Sequence, residues 1–385
     1  MMEEKIILYG AGRFGLLALK RYGTGRVAFF CDSYSEETEI ENIPVIRPHK
    51  MIECCKADAS YHVIITPGNF DIRREMAKPL IENGIGFSAF ERNDRLTGGS
   101  RAIHIRNEAG SLRCDYKEDD IKGFERRVPL TYGLFRKMYS RYQSDFAGKE
   151  IDLTVFIGDH SLDAYYNASA TRTGFVLAYN TVSALEDHVI AIPDYRACYD
   201  PEDYAYEETP ERCQKAAEKA WEDPRIVWKG NITSDDSRSW LEILAHKYPE
   251  ILYVDDPVND KSLQFVPMTE FARYKYLLDI RGYGWSDRLK ILLQLGRPVF
   301  LVERPFKEWY TDRLIPWTHY IPVKDDMSDL ISNYRYMEEH PEKYDEIVRN
   351  MKVFAEENLL PDAVLKYTRD VVLKYGVITE DGSKA

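Results

Sequence analysis

Short, strongly apolar runs alternate along most of the chain with stretches whose apolar residues return every three or four positions. KIILY (5–9), the glycine turn GAGRFG (10–15), the amphipathic LLALKRY and VAFFCD (27–32) read as strand, turn, helix and strand. IPVI (43–46), YHVIITPGNF (61–70), the helical REMAKPLIENG and GFSAF carry the alternation to about residue 91. Strands alternating with helices predict a parallel sheet, here one small Rossmann-like module over residues 1–95. RNDRLTGGSR (92–101) is polar and glycine-bearing, which marks a linker.

AIHIRNEAGSLRCDY then reads as a hairpin, two alternating runs flanking Asn-Glu-Ala-Gly. After a helical stretch near PLTYGLFRKMYSRY, the runs IDLTVFIGD (151–159), GFVLAYN (174–180) and HVIAIPDY (188–195) have the character of buried strands ending in polar residues. From about residue 210 the alternation resumes: RCQKAAEKAWE, RIVWKGN, SRSWLEILAHKY, ILYVDD, KYLLDI, SDRLKILLQLG and RPVFLV predict helix, strand, helix, strand, strand, helix and strand. The acidic, aromatic tail from Met327 reads as helical throughout. The pattern therefore predicts an α/β chain of three units, with the second over 102–205 and the third over 206–385.

With 385 residues, 44% of them hydrophobic, the chain is long enough for two or three cores. Its 64 acidic against 52 basic residues, a net charge of −12, argue against a general nucleic-acid or anionic-membrane surface, so a phosphate ligand would need a local basic pocket. No apolar stretch approaches the roughly 20 residues of a membrane span, and the acidic start MMEEKIILYG leads directly into a strand without a cleavable signal. The expected compartment is the cytoplasm. Cys31, Cys54, Cys55, Cys114, Cys198 and Cys213 form no CxxC pair, and His160, His188 and His319 are scattered, so neither a zinc site nor a disulfide framework is expected.

Two stretches carry candidate chemistry. In DIRGYGWSDRLK (279–290) a strand runs into an Arg-Gly-Tyr-Gly-Trp loop, Ser286 stands as a helix N-cap, and Leu289, Leu292 and Leu293 form a buried stripe ending at Gly296. Gly282 and Gly284 permit close backbone approach, helix-start N–H groups carry partial positive charge, and Arg281 and Arg288 add cations of fork geometry. Diphosphate is the natural ligand of such a loop. The same pattern would also arise if Ser286 merely capped and the arginines paired with Asp279 and Asp287. VWKGNITSDDSRSWL (227–241) repeats the logic with Lys229, Gly230, capping candidates among Thr233, Ser234 and the aspartates, and Arg238; a plain N-cap with a solvated Arg238 is its bland alternative.

With these motifs in hand, the chain from about residue 102 onward resembles glycosyltransferase family 90. YKYLLDIRGYGWSDRLKILLQLGRPVFLV, the "EWY" of 308–310, LIPWTHYIPVKDDMSDL (314–330) and the terminal helices carry the resemblance, in order and at similar intervals. It implies a GT-B-like pair of Rossmann-like domains around a cleft, with 102–205 as the acceptor side and 206–385 as the donor side. The implied reaction is inverting, metal-independent transfer from a UDP-sugar, with glucose or xylose favoured. Ser286 and Arg288 would then bind the donor diphosphate, supported by Arg281 and Gly282. Lys229, Gly230, Thr233, Ser234 and Arg238 match the family's Arg-Gly turn, with Lys229 replacing the usual arginine and losing its fork. The family's base, an aspartate just after a strand in its first half, maps to Asp159, with Asp163 in reserve; Gly-Asp-His here departs from the family's usual aspartate, aromatic and proline. IPDY (192–195) fits a family segment that lines the cleft, or makes only a turn. His319 reads as a hydrogen-bonded structural histidine, and most of Trp309, Tyr310, Trp317 and Tyr320 as core.

GAGRFG followed by Asp32 fits the dinucleotide fingerprint, with Gly10 for the turn, Gly12 for pyrophosphate approach, Gly15 for packing and Asp32 for a ribose hydroxyl. The module is small and lacks an evident catalytic Lys, Tyr or His, so a scaffolding or oligomerising role competes with dinucleotide binding. The expected acceptor is a bacterial surface glycan or lipid-linked saccharide, reached by peripheral association with the inner membrane face. Two alternatives stand beside transfer: an NAD-dependent oxidoreductase or epimerase built on the N-terminal fingerprint, and a non-catalytic sugar-nucleotide-binding protein.

Overall fold

The computed structural model describes residues 5–67, 70–90, 100–161, 164, 171–197 and 208–378. The chain gathers into two compact units, one formed by Met1–Asp94, Arg225–Phe265 and Val323–Glu339, the other by Arg95–Pro224, Val266–Pro322 and His340–Ala385.

The first unit opens as the hydrophobic pattern predicts, with β1 (Lys5–Tyr9), α1 (Arg13–Tyr22), β2 (Val27–Cys31), β3 (Glu39–Ile40), β4 (Ile43–Ile46), α2 (Pro48–Ala57), β5 (Tyr61–Ile65), α3 (Phe70–Glu82) and β6 (Phe87–Ala89). The sheet order is β3-β4-β2-β1-β5-β6, parallel except for the β3–β4 pair. The crossover helices require both faces to be apolar: Ile6, Leu8, Phe30 and Ile64 are buried on one, and the alternating Ile7, Val63 and Ile65 on the other.

Along the second unit run β7 (Ala102–Glu108), β8 (Ser111–Asp115), α4 (Arg127–Arg141), β9 (Glu150–Phe156), β10 (Val176–Ala178) and β11 (Val189–Ala191). The predicted hairpin is present: β7 and β8 pair antiparallel across Ala109 and Gly110, both at positive φ (48° and 81°), which matches the right-handed strand twist. The sheet order is β11-β10-β9-β7-β8. After α5 (Pro210–Ala217) come β12 (Asp223–Lys229), α6 (Asp236–Lys247) and the parallel partner strand β13 (Leu252–Asp255). In the first unit, α6 packs against α3 and sets Trp240 edge-on to Phe87, 4.2 Å between ring centres.

β14 (Tyr274–Asp279) is followed by α7 (Leu289–Leu292), the parallel β15 (Val299–Val302) and β16 (Ile321–Val323). The helix expected over SDRLKILLQLG is only four residues long: ahead of it Ser286 turns to Asp279 instead of capping, and within it Lys290 reaches Asp194. The tail holds α8 (Leu330–Glu339), α9 (Pro341–Asn358) and α10 (Pro361–Tyr375), yet it is not helical throughout: β17 (Val377–Ile378) pairs antiparallel with β9. Gly376 makes that turn where a Cβ would stand 2.0 Å from the Leu153 side chain.

Candidate active site

The Arg-Gly-Tyr-Gly-Trp loop leaves β14 at its carboxyl end, as the sequence predicted, and lies directly against the turn that bears Asp159. Gly284 is pressed so close that a Cβ would sit 2.1 Å from the Asp159 carbonyl oxygen and 2.9 Å from its carbon. Gly284 is thus required by space rather than by an unusual φ. Gly282 closes the loop with a 3.3 Å hydrogen bond from its N–H to the Trp285 carbonyl, and the Arg281 guanidinium lies over the Phe306 ring, 5.8 Å from its centre.

Asp159 follows β9 on the second unit, and its carboxylate pairs with Arg127 of α4 at 2.8 Å. Arg127 also donates to the Ile157 carbonyl and stacks over Phe124 and Tyr195, so the cation is fixed from three sides. Burial alone would lower the Arg127 pKa, but Asp159 and the neighbouring tyrosines outweigh it and hold the guanidinium charged. Asn180 donates to the Asp159 carbonyl, which pins the main chain. The carboxylate itself keeps 37% of its side-chain surface, enough to meet a substrate hydroxyl. His160 packs its ring against Tyr283 and Phe306, with centres 5.4 and 5.0 Å away, joining the Asp159 turn to the glycine loop by aromatic contact as well. Asp163 lies outside the described residues.

Ser286 is not an N-cap. Its hydroxyl donates to Asp279 Oδ1 at 2.7 Å, and both groups are buried. Arg304 donates to the other Asp279 oxygen at 2.7 Å, and Glu308 follows 3.6 Å from Arg304. Asp287 pairs with Arg196 at 3.2 Å and Asp279 with Arg304 at 2.7 Å, and Arg288 of the loop is coupled to both aspartates. Burial pushes Asp287 up, but Arg196, Lys290 and Arg288 overcome it and bring its pKa down to about 2. Burial lowers Arg288, opposed by Asp279 and Asp287. Asp194 of IPDY turns out to do two things: it accepts from the Arg196 N–H within a turn, and it forms a buried ion pair with Lys290 at 2.6 Å.

In the first unit, Lys229 ends β12 in a 2.9 Å ion pair with Asp255, and Gly230 donates to the Asp255 carbonyl. Asn231 caps the short turn that follows, accepting from the Thr233 N–H, and Asp235 caps α6, accepting from the Ser237 N–H. Thr233 Oγ1 donates to Asn231, and Ser234 Oγ to the Asn231 carbonyl. Arg238 is buried rather than solvated; it bonds the Asn231 carbonyl and Ser234 Oγ and lies over the Trp228 ring. The Lys229 charge is therefore engaged by the end of β13 and the Arg238 side chain by the turn itself.

In the N-terminal module Gly10 takes φ 114°, as its turn role requires, and Gly15 leaves no room for a Cβ against the Gly10 carbonyl. Gly12 faces open space. Asp32 braces the glycine turn, with its carboxylate accepting from the N–H groups of Ala11, Tyr34 and Ser35. Burial would raise its pKa, and those three donors outweigh that and lower it.

Residues 149–380, more than half of the chain, match the model of "Glycosyl transferase family 90". The chain belongs to that family. Among relatives of this family 90 protein, protein O-glucosyltransferase 1 of Rattus norvegicus is 27% identical over 175 residues, 42% of this chain and 44% of that protein. Protein O-glucosyltransferase 2 of Danio rerio is 30% identical over 121 residues, 31% of this chain and 24% of that protein. The chain thus spans less than half the length of these relatives. Among solved structures, Anabaena Alr3699/HepE in complex with UDP aligns over 96% of this chain and 99% of its own, with 8% identity and a TM-score of 0.38, a likeness too loose to carry further argument.

The structure brings Asp159, Arg281, Gly282, Ser286 and Arg288 into one unit and places Lys229 to Arg238 and the Gly10 to Asp32 set in the other. Sequence reading missed Arg127, Arg196, Arg304 and Glu308. Glu308 was visible as the first letter of EWY, and Asp194 in IPDY; nothing local marks Arg127, whose partner lies 32 residues away on another element.

Proposed function

We propose that this family 90 protein transfers a sugar, glucose or xylose, from a UDP-sugar to an acceptor hydroxyl, with inversion and without a metal. The observation that carries the reading is the contact of Gly284 with the Asp159 turn, which sets a partly exposed carboxylate beside an arginine- and glycine-bearing loop. Family membership and relatives named O-glucosyltransferases support it. Asp159 takes the proton from the acceptor hydroxyl as that oxygen attacks the anomeric carbon, and Arg127 holds the carboxylate in place. Arg288, with Arg281 and the backbone at Gly282, stabilises the departing diphosphate. Ser286, whose hydroxyl proton points to Asp279, contributes by holding the turn and through its main chain. The Lys229, Gly230, Thr233, Ser234 and Arg238 turn carries a second donor assignment, tested separately by Arg238→Ala. A glycan or lipid-linked saccharide is the proposed acceptor.

Calorimetric titration of UDP, UDP-glucose, UDP-xylose and NAD into wild type, Arg288→Ala and Asp159→Asn tests the assignment. Loss of a charged hydrogen-bond donor predicts about 10- to 100-fold weaker UDP binding for Arg288→Ala. Asp159→Asn should bind UDP like wild type yet lose about 10²-fold or more in transfer, since general-base catalysis is removed. The anomeric configuration of the product reports inversion. NAD binding without any UDP signal would overturn the transferase reading in favour of a redox role for the N-terminal module, whereas NAD binding beside UDP would add a dinucleotide at Gly10, Gly12, Gly15 and Asp32.

A further inference from the structure

A chain of buried polar groups runs behind the Ser286–Arg288 turn. Asp279, 0% exposed, bridges Ser286 Oγ on one oxygen and Arg304 Nη1 on the other, each at 2.7 Å. The second branch of Arg304 faces Glu308 Oε1 at 3.6 Å, and Tyr310 donates its hydroxyl proton to Glu308 Oε2 at 3.1 Å. Glu308 and Tyr310 are buried as well. We propose that Glu308 and Arg304 are positioning residues for the Ser286–Arg288 turn, acting through Asp279. The inference rests on the donor-site reading given above and extends it to residues that touch neither donor nor acceptor.

The sharing of Arg304 gives the arrangement its logic. Arg304 meets Asp279 at 2.7 Å and Glu308 at 3.6 Å, while Lys290 is paired with Asp194 and Arg288 is coupled to Asp279. Glu308 therefore holds the weaker share of that guanidinium in a buried place, where an ionised carboxylate is costly. Burial raises its pKa; Arg304 and Lys290 oppose the rise, Asp194 and Asp279 add to it, and the result is about 8. While Glu308 is neutral, Arg304 gives its full charge to Asp279, which then orients Ser286. Once Glu308 ionises, it competes with Asp279 for the same guanidinium, and the hold on Ser286 slackens. The turn is therefore set firmly below the Glu308 pKa and loosely above it.

Measuring UDP affinity of the full chain from about pH 7 to about pH 9.5, in wild type, Glu308→Gln, Glu308→Ala and Arg288→Ala, tests this, since the window brackets the Glu308 transition. Glutamine keeps the shape and the neutral state, so Glu308→Gln should bind UDP within about twofold of wild type at pH 7 and lose the weakening that wild type shows above about pH 8. Glu308→Ala should bind about tenfold more weakly at pH 7, with glutamine restoring what alanine loses. If alanine at this position prevents folding, the pH slope of Glu308→Gln decides alone. A flat wild-type profile, or the same slope in Glu308→Gln, overturns the relay. Undiminished UDP binding by Arg288→Ala overturns the donor-site reading and the relay with it, whereas loss in Arg288→Ala combined with a flat wild-type profile overturns the relay only.

Discussion

Gly284 and Glu308 show how much rests on single positions. Gly284→Ala places a methyl group 2.1 Å from a backbone oxygen that cannot swing aside, so the loop or the Asp159 turn must move. Overpacking of this kind costs about 1–3 kcal/mol, and a lower melting temperature together with a loss of transfer larger than the loss of UDP binding is expected. Glu308 makes a separate prediction for stability. The folded state keeps a proton up to about pH 8, which the unfolded chain releases near its ordinary 4.5. Stability is therefore fully present below about 4.5 and falls as pH rises toward about 8, by up to about 1.4 kcal/mol per pH unit, and Glu308→Gln flattens that slope in denaturant titrations. Of the residues that carry these effects, the glycine loop could be read from local sequence because spacing and residue type declare it, whereas Asp159 was singled out through the family resemblance. Arg127 and Arg304 could not, because an arginine's partner is chosen by the fold: Arg304 reaches back 25 residues to Asp279. Ser286 misled for a related reason, since a serine before an apolar run signals a cap only if no stronger acceptor stands behind it, and here Asp279 does.

Strands and helices were legible wherever apolar period and burial agreed, as in β1, β2, β5, α4 and the hairpin of β7 and β8. The hairpin invites a test: Ala109 sits at φ 48°, a conformation that suits glycine or asparagine. Ala109→Gly should raise the midpoint of thermal unfolding, with a gain of up to about 1 kcal/mol. For α6 the cap is Asp235, and Asp235→Ala should cost about 1 kcal/mol, seen in the same melts. The periodicity failed at α7 and at the chain's end. In SDRLKILLQLG the leucines are buried as expected, but burial can be met by a single helical turn when Lys290 is drawn to Asp194. β17 is two residues long, too short for any period to register, and it pairs with the start of β9, Glu150 and Ile151, ahead of the Val155 and Phe156 positions that pair with β10.

The chain does not finish one unit before starting the next. Residues 1–94 share a unit with 225–265 and 323–339, and Phe87 of the first segment meets Trp240 of the second. The opening module is thus not a detachable appendage of its unit. A chain lacking residues 1–94 should expose Trp240 and the face of α6 that packs on α3, and melt at a lower temperature or aggregate, as light scattering during heating would show. A chain that keeps its melting temperature after that deletion would show the module to be independent. During synthesis, the ribosome must add about 150 further residues after Phe87 before Trp240 emerges, a delay of roughly 8–30 s at about 5–20 residues per second. For that interval the nascent module carries an uncovered apolar side, and its productive maturation depends on translation speed and on whatever chaperone shields that side until its counterpart leaves the exit tunnel.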